Sequence, residues 1–298
     1  MRSFEAYLKE QSFGSKSIAR RMLVIKMYWQ WLKKENLEAE EVNYNDLMLY
    51  MKQEGRRGIT QRTIQSYMGV IKHYYEYLLQ EGKIDLNPAT DIAIKGVKRK
   101  TLYTPIQTHE LHRIYHAFPD LSLKDQRNKV MLGLLIYQAL RTEELAKLEV
   151  GDVNLKEGVI DVKGSRKSNG RKMRLESHQV MGMYNYTLQV RSELLQLKPK
   201  RNYQKRKETD RLFIGDGGST RHFSNYITQL MIKVKEINPH IINAKQLRAL
   251  VITKWLKMYN LREVQYLAGH RYISSTESYL ENDIEGLQEE VQQYHPLG

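Results

Sequence analysis

The sequence predicts a mainly α-helical protein with one small β-sheet, divided into an all-helical N-terminal domain and a mixed α/β domain. Three observations carry that prediction. Apolar residues recur at helical spacing in the first 92 or so positions, as Ile18, Met22, Ile25, Trp29 and Leu32, and again as Ile64, Tyr67, Ile71, Tyr74 and Leu78. A polar, glycine-broken segment, Lys95-Gly96-Val97-Lys98-Arg99-Lys100 with Pro105 beyond it, is crossed by no hydrophobic period and reads as a linker. Past it, Gly158-Val159-Ile160-Asp161-Val162-Lys163 and Arg171-Lys172-Met173-Arg174-Leu175 read as two short strands within otherwise helical sequence. The boundaries expected are a helical domain over 1–94, a linker over 95–104 and a second domain over 105–298. A chain of 298 residues is long for one core, which agrees.

Taken in order, the second stripe ends near Gly82, a plausible helix stop, and Gly55-Arg56-Arg57-Gly58 reads as a basic turn between the two helices. Tyrosines and tryptophans on the stripes are expected in the core rather than as platforms for bases. After the linker, Val130 to Leu148 reads as one buried helix, followed by a polar turn at Gly151-Asp152. The hairpin loop Gly164-Ser165-Arg166-Lys167-Ser168-Asn169-Gly170 is polar. Lys163, Arg166, Lys167, Arg171, Lys172 and Arg174 place six cations there with no acid between them. Residues 198–207 form a second basic run, expected as an exposed loop. Helices are predicted over Phe223–Ile237, Ala244–Tyr259 and Leu261–Ala268. Past Tyr279, Ile284, Leu287 and Val291 give the tail an apolar set, suited to docking on a neighbouring subunit or to an intramolecular helix.

Bulk chemistry narrows the partner. The chain has 48 Lys and Arg against 34 Asp and Glu, a net charge of +14, with 41% apolar and 28% charged residues, which describes a soluble globular protein that meets a polyanion. There is no apolar run of about 18 residues and no signal-peptide pattern after Met1, so nucleic acid is favoured over a membrane. Zero cysteines exclude disulfides and thiolate zinc sites and fit the cytoplasm. Neither a phosphate-binding Gly-x-x-x-x-Gly-Lys loop nor Gly-x-Gly-x-x-Gly is present, so no nucleotide cofactor is expected. The cations expected to meet DNA are Arg56 and Arg57 on the first turn, Lys95, Lys98, Arg99 and Lys100 on the linker, and Arg166, Lys167 and Arg171 on the hairpin. A linker of this composition serves equally as a flexible tether.

Two C-terminal segments, Lys245-Gln246-Leu247-Arg248 and Leu267-Ala268-Gly269-His270 with Tyr279 beyond, join Arg141 of Ala139-Leu140-Arg141-Thr142-Glu143-Glu144 as the chemistry-bearing set. Each has a bland reading. Arg141 can pair with Glu144 one turn on, Lys245 and Arg248 can be the wet edge of an amphipathic helix, and His270 can cap a helix end. As a set they suit metal-free attack on a phosphodiester, because arginine forks bind its oxygens, a lysine or histidine moves protons and a tyrosine attacks. On one continuous helix His270 and Tyr279 would face apart, so Arg271-Tyr272-Ile273-Ser274 must bend the chain, with Ser274-Ser275-Thr276-Glu277 capping a new helix.

These motifs, in this order along the whole chain, resemble the tyrosine recombinases, or phage-integrase family. The resemblance implies a helical core-binding domain and a catalytic domain that clamp double-stranded DNA, acting as a tetramer on two sites and monomeric without DNA. It assigns Arg141 and Arg248 to the scissile phosphate, Glu144 as their support, Lys163 (or Lys167) as the acid for the leaving oxygen, Lys245 and His270 as further donors, and Tyr279 as nucleophile of a 3′-phosphotyrosyl intermediate resolved through a four-way junction. No metal or cofactor is implied. The family's second box usually opens with histidine, whereas Lys245 stands here. Lysine can donate to a phosphate oxygen but not accept a proton at neutral pH, so a base role is lost or carried by His270. The Lys245 context looks more like mobile-element integrases. A type IB topoisomerase and a non-catalytic DNA-binding protein are the alternatives.

Overall fold

The computed structural model describes residues 3–94, 108–197 and 209–280. Lys95, Lys98, Arg99 and Lys100, the basic run 198–207 and the tail after Leu280, with Ile284, Leu287 and Val291, lie outside them. The chain separates into two compact units, Met1–Lys100 and Thr101–Gly298.

Among its described residues the first unit has four helices, α1 (Phe4–Glu10), α2 (Ser15–Glu35), α3 (Tyr44–Arg56) and α4 (Gln61–Gln80). Side-chain caps set the starts of α3 and α4: Asn43 and Asp46 form a capping box on α3, and Thr60 accepts from Thr63 N–H on α4. Two residues past α4, Gly82 adopts φ +66° and lets the chain turn back. The buried face of α2 is broader than the predicted stripe. Ile18, Ile25 and Leu32 are joined by Val24, Tyr28 and Trp31, whereas Trp29 is 39% exposed. The reason is that α2 packs on α1 and α4 and also meets α3, where the Trp31 and Tyr50 rings lie 5.1 Å apart. Tyr28 and Tyr75 hydrogen-bond through their hydroxyls at 2.7 Å in the same core. Most of these aromatics therefore hold the unit together. Arg56 ends α3 exposed, and Arg57 ion-pairs with the buried Glu54 at 2.7 Å.

The second unit contains α5 (Thr108–Ala117), α6 (Leu123–Ile136), α7 (Thr142–Leu145), strands β1 (Val153–Asn154), β2 (Val159–Val162) and β3 (Arg171–Arg174), then α8 (Ser177–Asn185), a π-turn over Tyr186–Val190, α9 (Arg191–Gln196), α10 (Phe223–Ile237), α11 (Ala244–Met258) and α12 (Leu261–Ala268). A further helix, α13, covers 274–280. The antiparallel sheet runs β1-β2-β3, with Ile160 opposite Met173 and Val162 opposite Arg171. Ile160, Val162 and Met173 face the core, as period-2 alternation requires. β1, not expected from sequence, is only two residues long.

The single helix expected over 130–148 is two. α6 starts earlier, capped by Ser122, and ends at Ile136; α7 follows after a break in which Ala139 takes φ +50°. Leu140 N–H reaches back to the Leu134 carbonyl across the break. Leu132, Leu134, Leu135 and Ile136 are all buried, so the segment is apolar on every side and its periodicity could not reveal an end. The break frees the Ala139 carbonyl and places Arg141 at the start of a new helix. Among the described residues no helix is long and apolar enough to cross a membrane.

Candidate active site

Arg141 precedes α7, and its main-chain N–H donates to Glu144 Oε2 at 2.8 Å. Glu144 is buried, and its main partner is not Arg141. Arg171 on β3 donates to both carboxylate oxygens, each at 3.0 Å, while the Arg141 guanidinium stays 3.6 Å away and remains partly exposed. Burial pushes the Glu144 carboxyl up, yet the Arg171 bonds outweigh it and hold the group below its ordinary value. Arg171 was expected on the DNA face; its side chain is wholly buried instead. Its position opposite Val162 points it inward, where an unpaired guanidinium would be costly and Glu144 supplies the counter-charge.

Arg248 is held by main-chain geometry. Asn243 caps α11 by accepting from Lys245 and Gln246 N–H, which fixes where the first turn points its side chains. Gln246 ties the preceding loop down through His240 O and Ile242 N–H. Arg248 then donates one terminal nitrogen to the Ala139 carbonyl and the other to the Ala268 carbonyl at 2.6 Å. Burial, then the nearby Arg141, lowers its pKa to about 10, still a cation at neutral pH.

His270 follows α12, which closes on Gly269 in the left-handed conformation (φ +62°) with His270 N–H on Gln265 O. A Cβ at residue 269 would overlap Arg171 Nη1, so that position needs glycine twice over. The buried imidazole lies between Arg248 Nη2, 3.2 Å from Nε2, and Thr276 Oγ1, 2.8 Å from Nδ1. A guanidinium only donates, so Nε2 must accept and Nδ1 carries the proton to Thr276. Burial, then Arg248 and Arg141, lowers its pKa to about 3, so the ring is neutral at physiological pH.

The chain bends after His270 and α13 brings Tyr279 back. The two rings lie parallel, 5.8 Å between centroids at 13°. The helix is capped differently from expectation: the Ile273 carbonyl, not a serine side chain, accepts from Thr276 and Glu277 N–H, and Thr276 turns inward to His270. Thr276 is fully buried, and the sequence offered no sign of its contact with His270.

The hairpin lysines share a cleft with Arg141, lined also by Glu144, Asp152 and Ser168. Lys163 lies just past β2 with its ammonium 2.6 Å from Glu149 and 3.0 Å from Asp152, pairs that raise its pKa. Lys167 is exposed at the tip, where Ser165 and Ser168 pair across the turn. Ser168 also bridges to His270, Asn169 N–H donates to Gly269 O at 3.2 Å, and Arg271 donates to the Arg166 carbonyl at 3.0 Å, so the tip is docked on the histidine segment. Lys245 is exposed, and among the described residues no side-chain bond joins it to the other groups. The structure thus gathers Arg141, Arg248, His270 and Tyr279, brings Lys163 and Lys167 to their edge, and leaves Lys245 apart. Two guanidinium groups, that of Arg248 held by main-chain carbonyls, with a neutral imidazole and a phenol are the equipment for binding a phosphodiester and attacking it. Among the described residues no group of three or more His, Cys, Asp or Glu is placed to hold a metal ion.

The Phage integrase family matches residues 105–285. Tyrosine recombinase XerC of Bacillus pumilus is 26% identical over 302 residues, covering 98% of this chain and 95% of the relative. XerC of Bacillus subtilis is 26% identical with the same coverages, 98% and 95%. Among solved structures, the Tn1549 transposon integrase in complex with circular intermediate DNA superposes with TM-score 0.66 at 16% identity, over 94% of this chain and 95% of that one. A lambda integrase dimer bound to a core site gives TM-score 0.65 at 13% identity, over 93% and 92%. At these identities the structural likeness establishes a shared fold.

Proposed function

The chain belongs to the phage integrase family and is a site-specific tyrosine recombinase, an enzyme that cleaves and rejoins DNA, and on that premise we propose that Tyr279 is its nucleophile. The observation that carries this reading is the Tyr279 ring lying parallel to His270, which itself bonds Arg248. The phenolic oxygen attacks the scissile phosphorus and the bond to the 5′-oxygen breaks, leaving a 3′-phosphotyrosyl ester. Arg141 and Arg248 bind the non-bridging oxygens, with Lys245 as an outer donor; preorganised donors of this kind are worth about 10²–10³ in rate each. Lys163 gives its proton to the leaving 5′-oxygen, a step worth about 10²–10⁴. Its ammonium must first leave Glu149 and Asp152, so the ion pairs seen here are its resting position. Lys167, on the same cleft, is the rival acid. With lysine at 245, the remaining acceptor for the Tyr279 proton is His270 Nε2, which must first release the hydrogen bond it accepts from Arg248. An incoming 5′-hydroxyl reverses the steps and conserves the bond energy.

The partner is double-stranded DNA, which the DNA-bound relatives of this fold support. Arg56, Arg57, Arg166 and Lys167 are exposed and fit phosphate contacts. We extend the proposal to a tetramer acting on two sites through a four-way junction, in the cytoplasm, in the service of a mobile element; the Lys245 variant supports the last point. The decisive test is a nicked suicide duplex built on the crossover sequence mapped beside the gene. A denaturation-resistant adduct that disappears in Tyr279→Phe supports the reading, and a wild-type protein that binds the duplex yet forms no adduct overturns it.

A further inference from the structure

Arg171 has no reason of its own to be where it is. Its side chain has no exposure, its Nε–H finds no partner among the described residues, and an apolar residue would fill the space without the cost of desolvating a charge. Among the described residues its one ionic partner is Glu144, the carboxylate that also accepts from Arg141 main-chain N–H. We propose that Arg171 is a positioning residue for strand cleavage: by occupying Glu144 with both terminal nitrogens, it keeps that carboxylate from capturing the Arg141 guanidinium and leaves Arg141 to the phosphate. The inference rests on the assignment of Arg141 to the scissile phosphate.

The geometry of Glu144 carries it. Oε2 accepts from Arg171 Nη2 at 3.0 Å and from Arg141 main-chain N–H at 2.8 Å, so the carboxylate already fixes where α7 begins. Oε1 accepts from Arg171 Nη1 at 3.0 Å, and Arg141 Nη1 is left at 3.6 Å, beyond a hydrogen bond. Glu144 is 8% exposed, so losing Arg171 would leave a buried carboxylate with Arg141 as its nearest cation. Closing 3.6 Å to a full ion pair requires only a rotamer change. The same guanidinium braces the other half of the site, because its Nη1 fills the space that a Cβ on Gly269 would take, directly before His270. A lysine at 171 has a single ammonium and cannot hold both oxygens in one plane.

Charge competition and simple packing separate in a double-mutant cycle. Adduct formation on the nicked duplex and the affinity for inorganic phosphate, read from guanidinium NMR signals of Arg141 and Arg248, are measured in Arg171→Met, Arg171→Lys, Glu144→Gln and Arg171→Met with Glu144→Gln, each checked for folding by near-UV circular dichroism. In the native background Arg171→Met should lower cleavage about 10²-fold, the scale expected for a misdirected catalytic group, and should weaken phosphate binding in parallel. Arg171→Lys should fall between. In the Glu144→Gln background, where the amide can still accept from Arg141 N–H but bears no charge, Arg171→Met should cost no more than about twofold. Equal losses in both backgrounds, or no loss in either, overturn the proposal. If Arg171→Met does not fold, the Arg171→Lys comparison in the two backgrounds decides by the same pattern. If the wild type binds phosphate through both arginines but never forms an adduct, the nucleophile assignment fails while the phosphate cycle still judges Arg171.

Discussion

Position 248 shows how a single charged side chain is held in place. A guanidinium buried to 6% exposure, with its terminal nitrogens on the carbonyls of Ala139 and Ala268, is a costly way to hold a helix in place and a good way to aim a fixed charge. Arg248→Ala should therefore reduce adduct formation by about 10²–10³ while DNA affinity, measured by filter binding, falls much less. Tyr279→Phe should bind DNA with unchanged affinity and form no adduct, because removing one hydroxyl leaves every phosphate contact intact. His270 gives a pH prediction. Its folded pKa of about 3 lies below the ordinary value of 6.5, so between those values the unfolded chain binds the extra proton. Stability from this group is thus present above pH 6.5 and is lost as pH falls toward 3, at up to about 1.4 kcal/mol per pH unit. Urea midpoints taken from pH 7 down should fall, and His270→Gln should flatten the slope above the carboxylate range.

At the scale of elements, the site depends on where helices stop. α12 ends on Gly269 and delivers His270; α6 ends before Ala139 and delivers both a carbonyl for Arg248 and the start of α7. Both stops use positive φ, one with glycine and one without. Gly269→Ala should destabilise by about 1–2 kcal/mol from the backbone alone, and by more because its methyl meets Arg171, lowering the urea midpoint. Ala139→Gly should be close to neutral in the same measurement, since relief at φ +50° offsets the lost buried methyl and added chain entropy. The hairpin is the third element that matters. Its tip is sewn to Gly269 and His270 by main-chain bonds, which tie the lysine-bearing loop to the histidine segment.

For the whole molecule, the controlling quantity is the excess positive charge of +14. Binding to duplex should weaken steeply with salt, each neutralised phosphate contributing about 0.9 to the slope of log affinity against log salt. A titration from 50 to 200 mM salt checks this, and a flat response would remove the basic surface from the argument. The halves should also be separable in stability, since each unit has its own hydrophobic core, one built on Tyr28, Tyr50 and Tyr75 and the other on Met131, Leu135 and Leu247. Two-step thermal unfolding would be the signature.

The periodic helices of the N-terminal unit, the hairpin and the helices carrying Arg248 and leading to His270 were legible because amphipathic spacing and caps are local properties of the chain. Residue type and order alone also singled out Arg141, Arg248, His270 and Tyr279 as a candidate set, whose roles the variants above test. The break at Ala139, the inward turn of Thr276 and the burial of Arg171 against Glu144 were not. Each depends on a partner distant in sequence, Arg248 for the Ala139 carbonyl, His270 for Thr276, and residue 144 for residue 171. A cation on a basic hairpin looks the same in sequence whether it faces water or a buried carboxylate. Only packing decides which, because the free energy of a charge depends on the medium and the counter-charge around it.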